Sequence, residues 1–196
     1  MYCQLAASRD GYQFTRVADR QTFIPQGPAG SPTAGMVLPW SVVHLPDRWM
    51  IYVAARTQGM RVISEPDTTV LYEMRPDGFV SFDSKGGEGS LVTRSFTWLH
   101  DAVTVNANAT GGSVAVEVLD ATKTHPDGTY GFEDRYRAII DGFSRDDCIP
   151  VTKDSVNAPL HFKAHDLKEL LGRYVKLRFY VRDAEFYSWT RFRPVA

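Results

Sequence analysis

The sequence predicts an all-β chain. Apolar residues recur at a period of two, the alternating segments are short, and Gly, Pro, Asp or Asn stands between them. Residues 2–7 and 12–17 flank Ser8-Arg9-Asp10-Gly11, where Asp supplies a side-chain hydrogen bond and Gly a positive φ, so these strands pair as a hairpin. A Pro- and Gly-rich loop over 19–35 leads to strand 36–44, a Leu45-Pro46-Asp47-Arg48 turn and strand 49–55. Segments 68–75 and 79–83 are joined by Pro76-Asp77-Gly78, a third turn of the same kind. Ser84-Lys85-Gly86-Gly87-Glu88-Gly89-Ser90 is polar and Gly-rich, and marks a boundary between domains 1–83 and 84–196.

Strands in the second domain are expected at 91–97, 102–109, 113–119, 159–163, 174–182 and 185–192, with a Gly-rich hairpin turn at 108–112. Residues 166–171 read as one helical turn that Asp166 caps and Gly172 ends. Val175, Leu177, Phe179 and Val181 alternate with Lys176, Arg178, Tyr180 and Arg182, giving a core face and a wet face. Six strands in this length suggest an antiparallel β-sandwich. The first domain supplies two strands and then four, about one and a half four-stranded blades of a partial β-propeller. A blade buries its faces against neighbours, so such a domain is incomplete, swapped, or packed on the second domain.

The chain has 196 residues, 43% of them hydrophobic and 23% charged, with a net charge of −1. This composition excludes disordered, collagenous and disulfide-stapled classes. A near-neutral charge gives no reason to expect nucleic acid or an anionic membrane as partner. The longest apolar run, 36–45, is interrupted by Pro39 and His44 and falls short of a membrane span. The first ten residues lack the basic start and apolar core of a secretory signal. Cys3 and Cys148 are expected as free thiols.

Three stretches carry a family likeness. They are Ala7-Ser8-Arg9-Asp10-Gly11-Tyr12-Gln13-Phe14-Thr15-Arg16; Phe23-Ile24-Pro25 with Gly27-Pro28 and Gly35-Met36-Val37; and Arg75-Pro76-Asp77-Gly78-Phe79-Val80-Ser81 followed by Gly89-Ser90-Leu91-Val92-Thr93-Arg94. Together with residues 147–155 and 175–188, they resemble the last blades and C-terminal β-sandwich of five-bladed β-propeller proteins related to glycoside hydrolase families 32 and 43. The resemblance implies that the acidic residues of the full-length family lie on earlier blades, so this chain alone is expected to be catalytically inactive. It also implies a sandwich that braces the propeller, with carbohydrate as the ligand class. Pro32 and Thr33 stand where relatives have an aromatic residue and an Asp, which weakens substrate contact at that loop.

Glycoside hydrolysis needs two carboxyl groups roughly 5–10 Å apart. The acidic residues of the first domain are Asp10, Asp19, Asp47, Glu65, Asp67, Glu73, Asp77 and Asp83, and most fall in turns. Trp40 is the candidate for stacking on a sugar ring, against packing between blades; Arg56 is the candidate for bonding sugar hydroxyls, against simple solvation. His44, His100, His125, His161 and His165 lack metal-site spacing, and no cofactor is implied. Glu133, Asp134, Asp141, Asp146, Asp147 and Asp154 could together hold a structural calcium ion, against the commoner outcome of a solvated loop. Lys176, Arg178, Tyr180 and Arg182 form a basic and aromatic row that the net charge argues is a sheet surface rather than a nucleic-acid strip. Asn108-Ala109-Thr110 fits a glycosylation acceptor. Two further functions compete with the hydrolase-like one. One is a carbohydrate-binding module using Trp40, Tyr180 or Tyr187; the other is an assembly subunit that completes its blades with another copy or a partner.

Overall fold

The computed structural model describes residues 1–60, 67–122 and 139–191; Glu65, His125, Glu133, Asp134 and Phe192 lie outside them. The chain is all-β and built of antiparallel sheets, with two short 3₁₀ turns and no α-helix among the described residues. It forms two units, Met1–Val80 and Ser81–Ala196.

In the first unit, β1 (Cys3–Gln4) pairs with β4 (Thr22–Ile24), and β2 (Ala6–Ala7) pairs with β3 (Thr15–Arg16) across the Asp10 turn. Asp10 Oδ1 accepts from the amides of Gln13 (2.8 Å) and Tyr12 (2.9 Å), and Ser8 Oγ accepts from Gly11. Those bonds, Gln13's first, hold the Asp10 carboxyl down at about 2. β5 (Met36–His44), β6 (Trp49–Arg56) and β7 (Thr68–Met74) form a three-stranded sheet. Pro39 has no N–H to give a ladder, and β5 is accordingly an edge strand with its register broken between Pro39 and Ser41. One face of this sheet, Val37, Ile51 and Val53, packs with Ile24 and half-buried Cys3, Phe23 and Tyr72.

A fourth strand over 79–83, expected beside β7, is not formed. The chain does turn at Asp77 (φ 54°), where Gly78 donates to the Arg75 carbonyl. Phe79 then packs its ring on Trp49 and Phe23 (centroids 5.5 and 5.7 Å) instead of extending. Phe82 already belongs to the first strand of the second unit.

The second unit contains β8 (Phe82–Val92), β9 (Phe96–Thr97), β10 (Thr104–Asn108), β11 (Ser113–Asp120), β12 (Cys148–Ile149), β13 (Asp154–Pro159), β14 (His161–Phe162) and β15 (Tyr174–Thr190). β15 is its spine, pairing with β8, β9, β10 and β11. Three expectations change here. The two strands expected at 174–182 and 185–192 are a single strand bent at Asp183 (φ 45°). Residues 108–112 are not a hairpin, because β10 and β11 follow one another along the same side of β15, from Thr104 opposite Thr190 to Asp120 opposite Val175. The Gly-rich 84–90 stretch, read as the boundary between domains, lies within β8, and the two units divide just before it, at Val80 and Ser81.

These three irregularities meet. Gly86 (φ 70°) donates its N–H to Asp183 Oδ1 at 2.7 Å, and Gly112 lies against the Arg182 carbonyl on the other side. Neighbouring strands therefore bend at one level, as they must if a strongly twisted sheet is to curl over its own core.

Val175, Leu177, Phe179 and Val181 are all fully buried, and they pack in one core with buried Trp98, Val103, Val105, Val116, Phe143, Phe162 and Leu170. Each such side chain contributes about 1.5–3 kcal/mol through apolar burial. The 3₁₀ turn Leu167–Leu170 carries the expected cap, Asp166 Oδ1 accepting from Lys168 N while Glu169 Oε1 accepts from Asp166 N. Cys3 and Cys148 are both free thiols, and burial pushes each above the ordinary thiol range.

Candidate functional site

Trp40 is the residue at which the β5 register slips, and it is 68% exposed. Arg56 ends β6, opposite Met36. The two are three to four residues apart in register, about 10–13 Å of extended strand. Arg56 is engaged: its Nε donates to Asp67 Oδ1 at 2.5 Å, and this bond draws the Asp67 carboxyl below the usual range. The pair therefore separates into an open aromatic ring and a guanidinium that ties the end of β6 to the residue before β7. Three other carboxylates of the unit are engaged in a similar way. Asp10 builds its turn, and Asp47 and Glu73 both meet Arg48.

On the second unit, the row expected to be wet carries an ionic network. Arg178 Nη1 donates to Glu117 Oε1 at 2.7 Å, and the two residues are directly opposite across β15 and β11. Glu117 is only 3% exposed. Glu88 receives both Arg145 and Arg182, which lower its pKa, Arg145 chiefly through hydrogen bonding. The Arg145 guanidinium also lies 4.5 Å from the centre of the Tyr180 ring. Tyr180 is thus covered by an arginine, and the Tyr187 hydroxyl donates to Glu185 at 2.7 Å. Neither tyrosine is an open stacking platform of the kind Trp40 presents.

A cleft of about 420 Å³ runs between residues 101–104 and 159–167. Val103, Leu160, Phe162 and Leu167 line it with apolar surface; Asp101, Thr104, His161, Lys163, His165 and Asp166 add polar groups. Thr104 is 6% exposed, and its Oγ1 has no hydrogen-bond partner. No local pattern marks these residues in the sequence, because the cleft exists only once β10, β13 and β14 are placed side by side. His161 and His165 are visible there as a pair without metal spacing, and the structure gives His165 a different role. Its Nδ1 meets Glu169 Oε2 at 2.8 Å, and its ring packs on Phe143.

That contact, with the charges of Glu169, Asp141 and Asp147, raises His165 above its ordinary 6.5, while His165 in turn lowers Glu169 below 4.5. A raised histidine stabilises fully below its unfolded pKa, and that contribution is lost as pH climbs through the folded value. A lowered glutamate stabilises above its unfolded pKa and is lost as pH falls. The pair is therefore at full strength between pH 4.5 and 6.5. The difference in melting temperature between the native chain and His165→Gln is expected to be largest near about pH 5.5 and to shrink toward about pH 9 and about pH 3. Melts in a series of buffers measure it, and a difference independent of pH contradicts it.

Among the described residues, no group of three or more His, Cys, Asp or Glu side chains is placed to hold a metal ion. Of the acidic segment considered for calcium, Asp147 accepts from the amide and hydroxyl of Ser144. No helix is long and apolar enough to cross a membrane among the described residues. No protein-family model matches the chain, and no curated protein or solved structure does so either.

Proposed function

We propose that the chain is a non-catalytic part of a glycoside-hydrolase-like protein that contacts carbohydrate, in which the first unit contributes propeller-blade strands and the second forms a β-sandwich that braces them. The observation that carries this reading is the half-covered sheet of the first unit. Its outer face sets Leu38 against Ala54, Val43 against Met50 and Leu71 against Tyr52. Leu38, Val43 and Leu71 are each more than 40% exposed, so among the described residues of the first unit this apolar surface is left open. A propeller blade needs apolar surface on both faces, since each is buried by a neighbouring blade. Open Trp40, on the edge strand, supports carbohydrate contact through stacking.

Asp10 is held by turn amides, Asp47 and Glu73 by Arg48, and Asp67 by Arg56, which supports assigning the chain no hydrolytic step of its own. Two measurements test the proposal. The purified chain is expected to leave aryl glycosides and plant or microbial oligosaccharides intact, and robust turnover overturns the non-catalytic assignment. In sedimentation it is expected to self-associate through the open face, with Leu71→Lys restoring a monomer. A native chain that is folded and strictly monomeric overturns the blade assignment.

A further inference from the structure

The two edges of the three-stranded sheet β5–β7 are built differently. The β5 edge carries Pro39, which has no N–H to offer, and a register break between Pro39 and Ser41, two features that keep another strand from adding there. β7 has neither. Its seven residues, Thr68-Thr69-Val70-Leu71-Tyr72-Glu73-Met74, pair with β6 in unbroken register and contain no Pro, Gly or Lys, with Glu73 as their one charge. Such a segment, rich in strand-forming side chains and low in charge, is on an open edge a template for a further strand. Among the described residues no strand lies on that side of β7, and none of the seven makes a backbone hydrogen bond outside the β6 ladder. The chain that follows does not fill the place, since after the Asp77 turn Phe79 packs on Trp49 and Phe23.

We propose that the free edge of β7 pairs with the β7 edge of a second copy of this chain, antiparallel about a two-fold axis at Leu71, so that two three-stranded sheets become one sheet ordered β5-β6-β7-β7-β6-β5. The sequence of β7 selects this partner and this register. Directly opposite residues of an antiparallel pair share a face, so the two half-buried faces become continuous only when even-numbered residues meet even ones and odd meet odd. Val70, Tyr72 and Met74 lie on the half-buried face, and Thr69, Leu71 and Glu73 on the exposed one. Centring the pair on Val70 sets Glu73 against Asp67 of the other copy, carboxylate against carboxylate. Centring it on Tyr72 sets Pro76 against Thr68 and ends the ladder early. Centring it on Leu71 uses the whole strand: Leu71 meets Leu71, Val70 meets Tyr72, Thr69 meets Glu73 and Thr68 meets Met74. One residue beyond each end, Asp67 then faces Arg75, an opposite charge. The two Glu73 residues stand about 13 Å apart along the edge, beyond the roughly 8–10 Å over which exposed charges interact in physiological salt. Both outer edges of the joined sheet are the β5 edge guarded by Pro39, so the assembly closes as a dimer rather than growing into a fibre. The pairing goes beyond the propeller reading, in which a neighbouring blade covers a face of the sheet rather than its edge.

The test is sedimentation of the full chain over about 1–100 μM, with hydrogen exchange measured at both ends of that range. The native chain is expected to be a dimer at the upper end, where exchange in 68–74 slows at least about tenfold relative to the dilute chain while exchange in 36–44 does not. Leu71→Lys does not separate an edge contact from a face contact, because Leu71 takes part in both; Thr69 does. Thr69→Glu sets a carboxylate against Glu73 twice across the axis and is expected to weaken the dimer about tenfold. Thr69→Lys sets an opposite charge at the same two places and is expected to tighten it by about the same factor. Thr69 is exposed, so both variants are expected to fold as the native chain does, and the lysine variant keeps the test decisive if the glutamate variant folds poorly. A chain that is monomeric throughout the range, an association that both charges weaken, or exchange in 68–74 that is independent of concentration overturns the pairing. Weakening by both charges is the result that face-to-face stacking gives, and it leaves the propeller reading standing; glycoside turnover overturns that reading and leaves the pairing standing.

Discussion

Gly112→Ala is expected to destabilise the second unit by roughly 3–5 kcal/mol, among the largest effects of a single methyl anywhere in the chain. A Cβ at Gly112 would stand 1.9 Å from the Arg182 carbonyl oxygen and 2.8 Å from both the Arg182 carbonyl carbon and the Asp183 oxygen. All three atoms are backbone of β15, which is held by β8 on its other side, so no flexible side chain can move aside. Relief requires β10 and β11 to separate from β15 at the bend. The neighbouring Gly111 is the control. Its Cβ would meet only the Asp183 oxygen at 3.5 Å, an ordinary contact, and Gly111→Ala is expected to change stability by less than about 1 kcal/mol. Hydrogen exchange resolved by peptide reads the outcome, because it separates β11 and β15 from the strands of the first unit. Equal exchange in the two variants would show that the bend is not tightly packed.

The same bend explains which parts of the fold are legible in the sequence. Alternation along residues 174–182 identifies the buried side chains correctly, since a period of two records which face a strand buries whatever its partners are. The Asp10 turn and the Asp166 cap are legible for the same local reason: their bonds close within three residues. Gly86 and Gly87 read instead as part of a domain boundary, and Gly111 and Gly112 as part of a hairpin turn, because a glycine that permits a bend and one that permits a reversal look alike in sequence. What distinguishes them is Asp183 on a strand about a hundred residues from Gly86, accepting its amide. Of the site residues, Trp40 is legible as an aromatic on an apolar strand, and its exposure accompanies the register slip beside Pro39. The engagement of Arg56 by Asp67 is not legible, because it depends on how β6 and β7 align. The cleft around Thr104 is invisible for a similar reason, since it brings together segments more than fifty residues apart.

The second large effect concerns the ion pair that crosses β11 and β15. Alternation places Arg178 on a wet face, where an ion pair contributes about 0–1 kcal/mol. The structure instead buries its partner: the Glu117 side chain is 4% exposed and the Arg178 side chain 17%. Removing the cation alone, as in Arg178→Met, leaves a carboxylate in low dielectric without its counter-charge, and is expected to cost about 3–5 kcal/mol. Glu117→Leu is expected to cost less, because the Arg178 guanidinium retains more contact with solvent and has the Tyr180 hydroxyl at 3.4 Å. The combined variant removes both desolvation penalties and sets apolar groups side by side on β11 and β15, next to Val92 of β8, so it is expected to regain most of the native stability or exceed it. A double-mutant cycle in urea measures this coupling directly. Strict additivity of the two single losses would mean that the pair acts as an ordinary surface contact, with the stability of this face coming instead from the Glu88 network with Arg145 and Arg182.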